Sequence, residues 1–158
     1  DIHYVGEYVT ITATSYPGAE ITLAVNGVAI TGNKYLVPAV GTYNVTASTP
    51  DTADYGPGWN VTQFNAVKKV PTIYINVVGG VHYVDSDVII QVSTDSDSGC
   101  VVRVGNDQVI GGRYHVTSEG TYTVVASTYE TGKYYAGTGS ATFTVVKSAY
   151  TIYEEAQK

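Results

Sequence analysis

Between Tyr8 and Thr14 apolar and polar residues alternate. Val9, Ile11 and Ala13 fall on one face of an extended segment, and Thr10, Thr12 and Thr14 on the other. A period of two, rather than the 3.6 of a helix, predicts a half-buried β-strand. The pattern returns at Val88, Ile90 and Val92. It also appears at Ile21, Leu23 and Val25, which Cys100, Val102 and Val104 repeat. The latter pair of strands runs into Asn26-Gly27 and Gly105-Asn106, dipeptides that close tight hairpins. Cys100 stands at an isoleucine position and is expected in the core. A further run, Thr42–Ser48, points Tyr43, Val45 and Ala47 inward and Asn44 outward. A closing strand turns Phe64 and Ala66, or Phe143 and Val145, to the core. With Thr72–Val78 as an opening strand and short runs near Tyr35 and Tyr114, each half of the chain carries about six or seven strands, a number that suits a two-sheet sandwich.

The halves are copies. Sliding the sequence against itself gives an ungapped match at an offset of 79, the separation of His3 from His82. His3-Tyr4-Val5 falls on His82-Tyr83-Val84, Gly41-Thr42-Tyr43 on Gly120-Thr121-Tyr122, and Ala47-Ser48-Thr49 on Ala126-Ser127-Thr128. Tyr55, Gly58, Phe64 and Lys68 fall on Tyr134, Gly137, Phe143 and Lys147. The register continues into a third copy, where Thr72-Ile73-Tyr74 meets Thr151-Ile152-Tyr153. Asp1 aligns with Gly80, so the first copy has no counterpart of Pro71–Gly79. The expected organisation is a first sandwich over 1–69 that lacks its opening strand and a second over 70–148. Residues 149–158 would then be the first strand of a further repeat, or a donor strand. Glu154 falls where the second copy has Ile75, so this last segment is the more polar strand.

Composition narrows the function. The chain of 158 residues has 15 Tyr and 17 Gly, is 44% hydrophobic and only 14% charged, and carries a formal charge of −6. Eight Lys and Arg in all argue against a nucleic-acid partner, which needs clustered cations to neutralise phosphate. An anionic membrane surface is disfavoured for the same reason. No apolar run reaches the roughly 20 residues of a membrane-spanning helix, and no basic-then-apolar leader opens the chain. The expectation is a soluble chain, either processed or cut from something longer. The lone Cys100 excludes an intrachain disulfide, so packing alone must hold the domains. Two sequons, Asn44-Val45-Thr46 and Asn60-Val61-Thr62, make Asn44 and Asn60 candidate glycosylation sites and tip the compartment toward the cell exterior.

Gly120-Thr121-Tyr122-Thr123-Val124-Val125-Ala126-Ser127-Thr128, then Gly132-Lys133-Tyr134-Tyr135, then Ala141-Thr142-Phe143-Thr144-Val145 resembles the immunoglobulin-like tandem repeats of large archaeal and bacterial cell-surface, adhesin-like proteins. The first copy keeps the order through Gly41-Thr42-Tyr43, Tyr55 and Phe64, with Asn65-Ala66 in place of the Thr-Val ending. The resemblance covers nearly all of the chain. It implies an all-β fold of two tandem immunoglobulin-like β-sandwich domains, and it brings no catalytic residues. Tyr43 and Tyr122 sit where a tyrosine corner is expected, with each hydroxyl bonded back to the backbone.

Other chemistry is sparse. A nucleophilic triad needs Ser or Cys, His and a carboxylate converging from loops. His3 and His82 instead share a repeat position, which points to packing at a strand edge, and no catalytic residue is assigned. No cofactor is required. Asp95 and Asp97, alternating with Ser96 and Ser98, are candidate oxygen ligands for calcium, set against an ordinary solvated acidic loop. Trp59, expected on a Gly/Pro loop where the second copy has Thr138, is a candidate glycan or interdomain contact together with Tyr55.

These readings favour a non-enzymatic extracellular structural protein that associates with its own copies. Its repeats would form a cell-surface stalk, or a filament assembled head to tail by strand donation through Tyr150, Thr151, Ile152, Tyr153 and Ala156. The alternative is a carbohydrate- or host-binding adhesin module.

Overall fold

The computed structural model describes residues 2–149 and Ala156; Tyr150, Thr151, Ile152 and Tyr153 of the candidate donor strand lie outside the described residues. Among those described, all regular structure is strand. They fall into two compact units, one holding residues up to Val70 with Thr131–Tyr135, the other Pro71–Glu130 with the chain from Ala136 onward.

In the first unit, β1 (Ile2–Tyr4), β3 (Thr22–Val25), β4 (Val28–Ala29), β6 (Gly41–Thr49) and β7 (Gly58–Val67) form a sheet in the order β1-β7-β6-β3-β4. A separate pair is made by β2 (Tyr8–Thr10) and β5 (Lys34–Leu36). In the second unit the long sheet runs β12-β11-β14-β15-β9. Its strands are β9 (His82–Tyr83), β11 (Val101–Val104), β12 (Asp107–Gln108), β14 (Gly120–Thr128) and β15 (Gly137–Val146). The facing sheet is β13-β10-β8, built from β8 (Ile73–Val77), β10 (Ser86–Thr94) and β13 (Arg113–Val116). Each unit therefore has the two-sheet architecture expected from the alternation.

The core of each unit lies where the alternating faces meet. Val9, Val25, Val37, Tyr43, Val45, Phe64 and Ala66 are buried together in the first, and Val88, Ile90, Val104, Val116, Val124, Phe143 and Val145 in the second. A stack of aromatics recurs at equivalent positions. Tyr43 lies parallel to Phe64 at 5.0 Å between ring centres and Tyr122 to Phe143 at 5.2 Å, with His3 and His82 edge-on to the phenylalanines at 5.3 and 5.4 Å. The packing role expected for the paired histidines is thus what both units display. Both tyrosine corners form: Tyr43 Oη donates to the Ala39 carbonyl and Tyr122 Oη to that of Ser118, each at 2.6 Å. The hairpin dipeptides differ in mechanism. Asn26 and Gly27 both take positive φ (49° and 81°), the demand of a type I′ turn, whereas of Gly105-Asn106 only the glycine does, at 58°.

Two expectations change. The strand foreseen over Tyr8–Thr14 keeps its ladder only through Thr10, because no described strand lies beside Ile11–Thr14. Cys100 is half-buried rather than buried. It immediately precedes β11, where the turn from Asp97–Gly99 is still entering the sheet, and burial pushes its thiol above the ordinary pKa.

Candidate functional site: an open groove in the first unit

The two units differ most at the edge of the short sheet. In the second, β8 lies antiparallel to β10, with Ile90 opposite Val77, Val92 opposite Ile75 and Thr94 opposite Ile73. Its sequence explains the fit, since Ile73, Ile75 and Val77 alternate with Tyr74 and Asn76 and turn their half-buried side chains to the core. Pro71 and Ile73 also sit against glycines of β15. A Cβ added at Gly137 would come within 2.5 Å of Pro71 Cγ, and one at Gly139 within 3.2 Å of Ile73 Cγ2. At both positions a side chain would crowd the chain that passes over them.

In the first unit the counterpart of β10's paired stretch is Ile11–Ser15, and no described strand pairs with it. Ile11 N still donates to the Asn33 carbonyl at 2.7 Å, as Ile90 N does to Gly112 at 2.9 Å, so this part of the chain is held in place from its other side. What remains is a groove of about 290 Å³ between Ile11–Thr14 and the inner faces of β6 and β7, floored by Val45, Ala47, Asn60 and Thr62. A further hollow of about 200 Å³ continues it past Ala13 toward Ile21, Gly58 and Trp59. The burial figures follow. Ala126 is fully buried and Thr128 only 4% exposed in the second unit, while their counterparts Ala47 and Thr49 are half-buried.

The sequence-derived residues fall unevenly on this site. Asn44 is exposed on β6 opposite Gln63, whose Nε2 donates to Asn44 Oδ1 at 2.6 Å. Asn60 is exposed too, but it pairs with Ala47, and Thr62 with Val45. Directly opposed residues share a face, so Asn60 and Thr62 look into the groove. Counting back by twos from the buried Phe64 would have found this in the sequence. Trp59 lies not on a loop but in β7, opposite Ser48, and is 76% exposed. Tyr55 stacks on Tyr16 with ring centres 3.9 Å apart and planes 8° from parallel.

Asp95, whose first-copy counterpart is Tyr16, accepts a 2.7 Å hydrogen bond from Thr72 N and so tethers the entry to β8. Asp97 is exposed in the following turn. Among the described residues no group of three His, Cys, Asp or Glu side chains is placed to hold a metal ion. His115 Nδ1 lies 2.9 Å from Asp87 Oδ1 on the outer face, where the first unit has the apolar pair Tyr8 and Leu36 in the same cross-strand register. Ala156 is exposed.

Strand order, parallel pairing of β1 with β7 and of β9 with β15, and the tyrosine corners define both units as immunoglobulin-like β-sandwiches. No protein-family model matches the chain, and no curated protein matches it. Among solved structures, the chain is similar to the fibronectin(III)-like modules of Clostridium thermocellum CbhA, at 19% identity and TM-score 0.39, over 100% of this chain and 95% of that one. It is similar also to Sidekick-1 immunoglobulin domains 1–5, at 14% identity and TM-score 0.49 over 93% and 37%. A third similarity is to domains 4 and 5 of the S-layer protein SbsC, at 16% identity and TM-score 0.32 over 82% and 70%.

Proposed function

We propose that the protein is a non-enzymatic extracellular structural protein whose first unit accepts a β-strand from another copy, so that chains join head to tail. The observation that carries this reading is the groove beside Ile11–Ser15, occupied in the second unit by β8. An unpaired strand edge beside apolar floor residues is a template for strand addition. A strand alternating like Ile73–Val77 would supply both the missing ladder and the missing side chains. The segment Tyr150–Ala156, in register with Pro71–Val77 at the 79-residue offset, is the donor, and its contact is heterologous, so it propagates rather than closing a pair. Exposed sequons at Asn44 and Asn60 support an exported protein.

The test compares the full chain with a deletion of residues 150–158 by light scattering and electron microscopy. Polymers that lengthen with concentration are expected for the full chain and monomers for the deletion. Filaments from the deleted chain would sink the donor assignment. Amide hydrogen exchange gives a local readout: Thr12–Thr14 should exchange fast in the monomer and become protected in the polymer, approaching the protection of Gln91–Ser93.

A further inference from the structure

We propose that Asn26 is a site of spontaneous deamidation, and that its isoaspartyl product detaches the β4 edge of the first unit's long sheet. The proposal is independent of strand acceptance.

The chemistry begins at the residue that follows. When the Gly27 nitrogen gives up its proton to hydroxide and attacks Asn26 Cγ, an N–Cγ bond forms and the Cγ–Nδ2 bond breaks. Ammonia leaves, and a five-membered succinimide remains. Water then opens the ring in one of two ways. Cleavage of the N–Cγ bond yields aspartate, while cleavage at the α-carbonyl yields isoaspartate, whose main chain runs through Cγ and is one methylene longer. A side chain on the following residue hinders the attack, and glycine has none. Asn26 alone among the asparagines of the sequence precedes glycine; the others precede Lys, Val, Ala or Asp. The second copy reverses the dipeptide, so Asn106 precedes Asp107 and serves as an internal control.

The structure adds a brake and a consequence. Asn26 and Gly27 are exposed between β3 and β4. The closed turn holds them at φ 49° and 81°. Asn26 N donates to the Asn44 carbonyl at 2.8 Å, and Asn44 N donates to Asn26 Oδ1 at 2.9 Å. The side-chain amide is thereby tied to β6, so ring closure waits for the hairpin to open. Opening takes little, because β4 has two residues, lies at the end of the sheet and leaves Val28 70% exposed.

The consequence follows from the tightness of the loop. Val25 pairs with Val28, which leaves Asn26 and Gly27 alone to reverse the chain. An extra main-chain methylene at Asn26 no longer fits that closure. In isoaspartate Cγ has become backbone, so the side-chain acceptor of Asn44 N is lost as well. The pairing of Ala24 with Ala29 and the 2.9 Å bond from Ile30 N to the Leu23 carbonyl then lose their clamp, and β3 is left as an unpaired edge. Aspartate keeps the backbone and offers Asn44 N a carboxylate oxygen in place of the amide. The two products of one reaction thus differ in whether the edge survives.

The full chain is incubated at mildly alkaline pH, and peptide mapping by mass spectrometry reads the amide-to-acid mass gain at every asparagine. A synthetic peptide of residues 22–30 is the reference without the folded turn. Asn26 is expected to convert several-fold faster than Asn106, several-fold more slowly than in the peptide, and at the peptide's rate once urea unfolds the chain. Asn26→Gly, which keeps a residue suited to positive φ, should abolish the gain and preserve the hairpin. Ion exchange isolates the deamidated chain, and Asn26→Asp supplies the aspartyl form. Amide exchange at Ile30 should become several-fold faster in the isoaspartyl chain and stay unchanged in Asn26→Asp. Conversion at Asn26 no faster than at Asn106 overturns the site. A folded chain that converts as fast as the peptide overturns the brake, and an isoaspartyl chain in which Ile30 keeps its protection overturns the detached edge.

Discussion

Ile11–Ser15 and Ile90–Thr94 are the same segment written twice, yet one is irregular and the other forms half of a nine-residue strand. Their own residues do not explain the difference. Ile11, Ala13 and Ser15 alternate as well as Ile90, Val92 and Thr94 do, and Ile11 and Ile90 make the same bond on their far side. The difference is the neighbour. Strand geometry is completed by a ladder partner, and the second unit has β8 where the first has a groove. The floor of the two sandwiches keeps a glycine at one position, Gly58 and Gly137, and differs at the other, where Gly139 lies beneath a seated strand and Asn60 lines the groove.

The largest test of this comparison makes the second unit resemble the first. Ile73→Asp with Ile75→Asp places carboxylates against the core where β8 seats its isoleucines and should cost about 3–5 kcal/mol of that unit's stability, since buried unpaired charge is strongly unfavourable. Urea denaturation should resolve a shifted transition for the second unit and an unchanged one for the first. No shift would mean β8 is not part of the sandwich.

Exchanging the floor residues is the next step down. Gly139→Asn should destabilise the second unit by about 1–3 kcal/mol through overpacking against Ile73, whereas the reciprocal Asn60→Gly should change the first unit by less than about 1 kcal/mol. Equal effects in thermal melts would break the claim that only one of these positions lies under a strand.

Removing a shared feature should erase the difference between the units. Tyr43→Phe and Tyr122→Phe each delete the hydroxyl's bond to a backbone carbonyl together with one longer contact, to Ala39 N in the first unit and to Ser118 Oγ in the second, and each should cost about 1 kcal/mol because the short carbonyl bond is common to both. A large disparity in denaturation midpoints would show that the two corners differ in a way their 2.6 Å bonds do not reveal.

The smallest effects are expected at the edges. Cys100→Ile, which gives the second unit the residue the first has at position 21, should alter stability by less than about 1 kcal/mol, the site being only half-buried. In the wild type, burial raises the Cys100 pKa, so the thiolate that reacts is scarcer in the folded chain, and Ellman's reagent at pH 8 should react several-fold faster after unfolding. The Tyr114 ring packs against the core of the second unit, and its hydroxyl reaches the exposed rim and donates to Asp107 Oδ2, which raises the phenol's pKa. Any stability it adds is present below pH about 10 and is lost as pH rises through the raised value, a small effect for an exposed pair.

Local chemistry was legible along the chain because a strand's two faces alternate with a period fixed by backbone geometry, and because Tyr43, Tyr122 and Asn26-Gly27 act through bonds within a few residues. The repeat in turn made every assignment double. Cys100 and the limits of the strand after Tyr8 were not legible, since exposure and pairing belong to the neighbour across the sheet. The facing of Asn60 sits between these cases. Its parity with Phe64 could be counted, but that an inward position should remain open to solvent could not. The sequence by itself determined two all-β copies, their cores and their turns, since each follows from short-range periodicity and turn geometry. Only the tertiary structure decided that Asn60 and Thr62 line an open groove while Gly139 and Ala141 lie near a seated strand. Whether an inward side chain is covered depends on contacts between segments far apart in the chain.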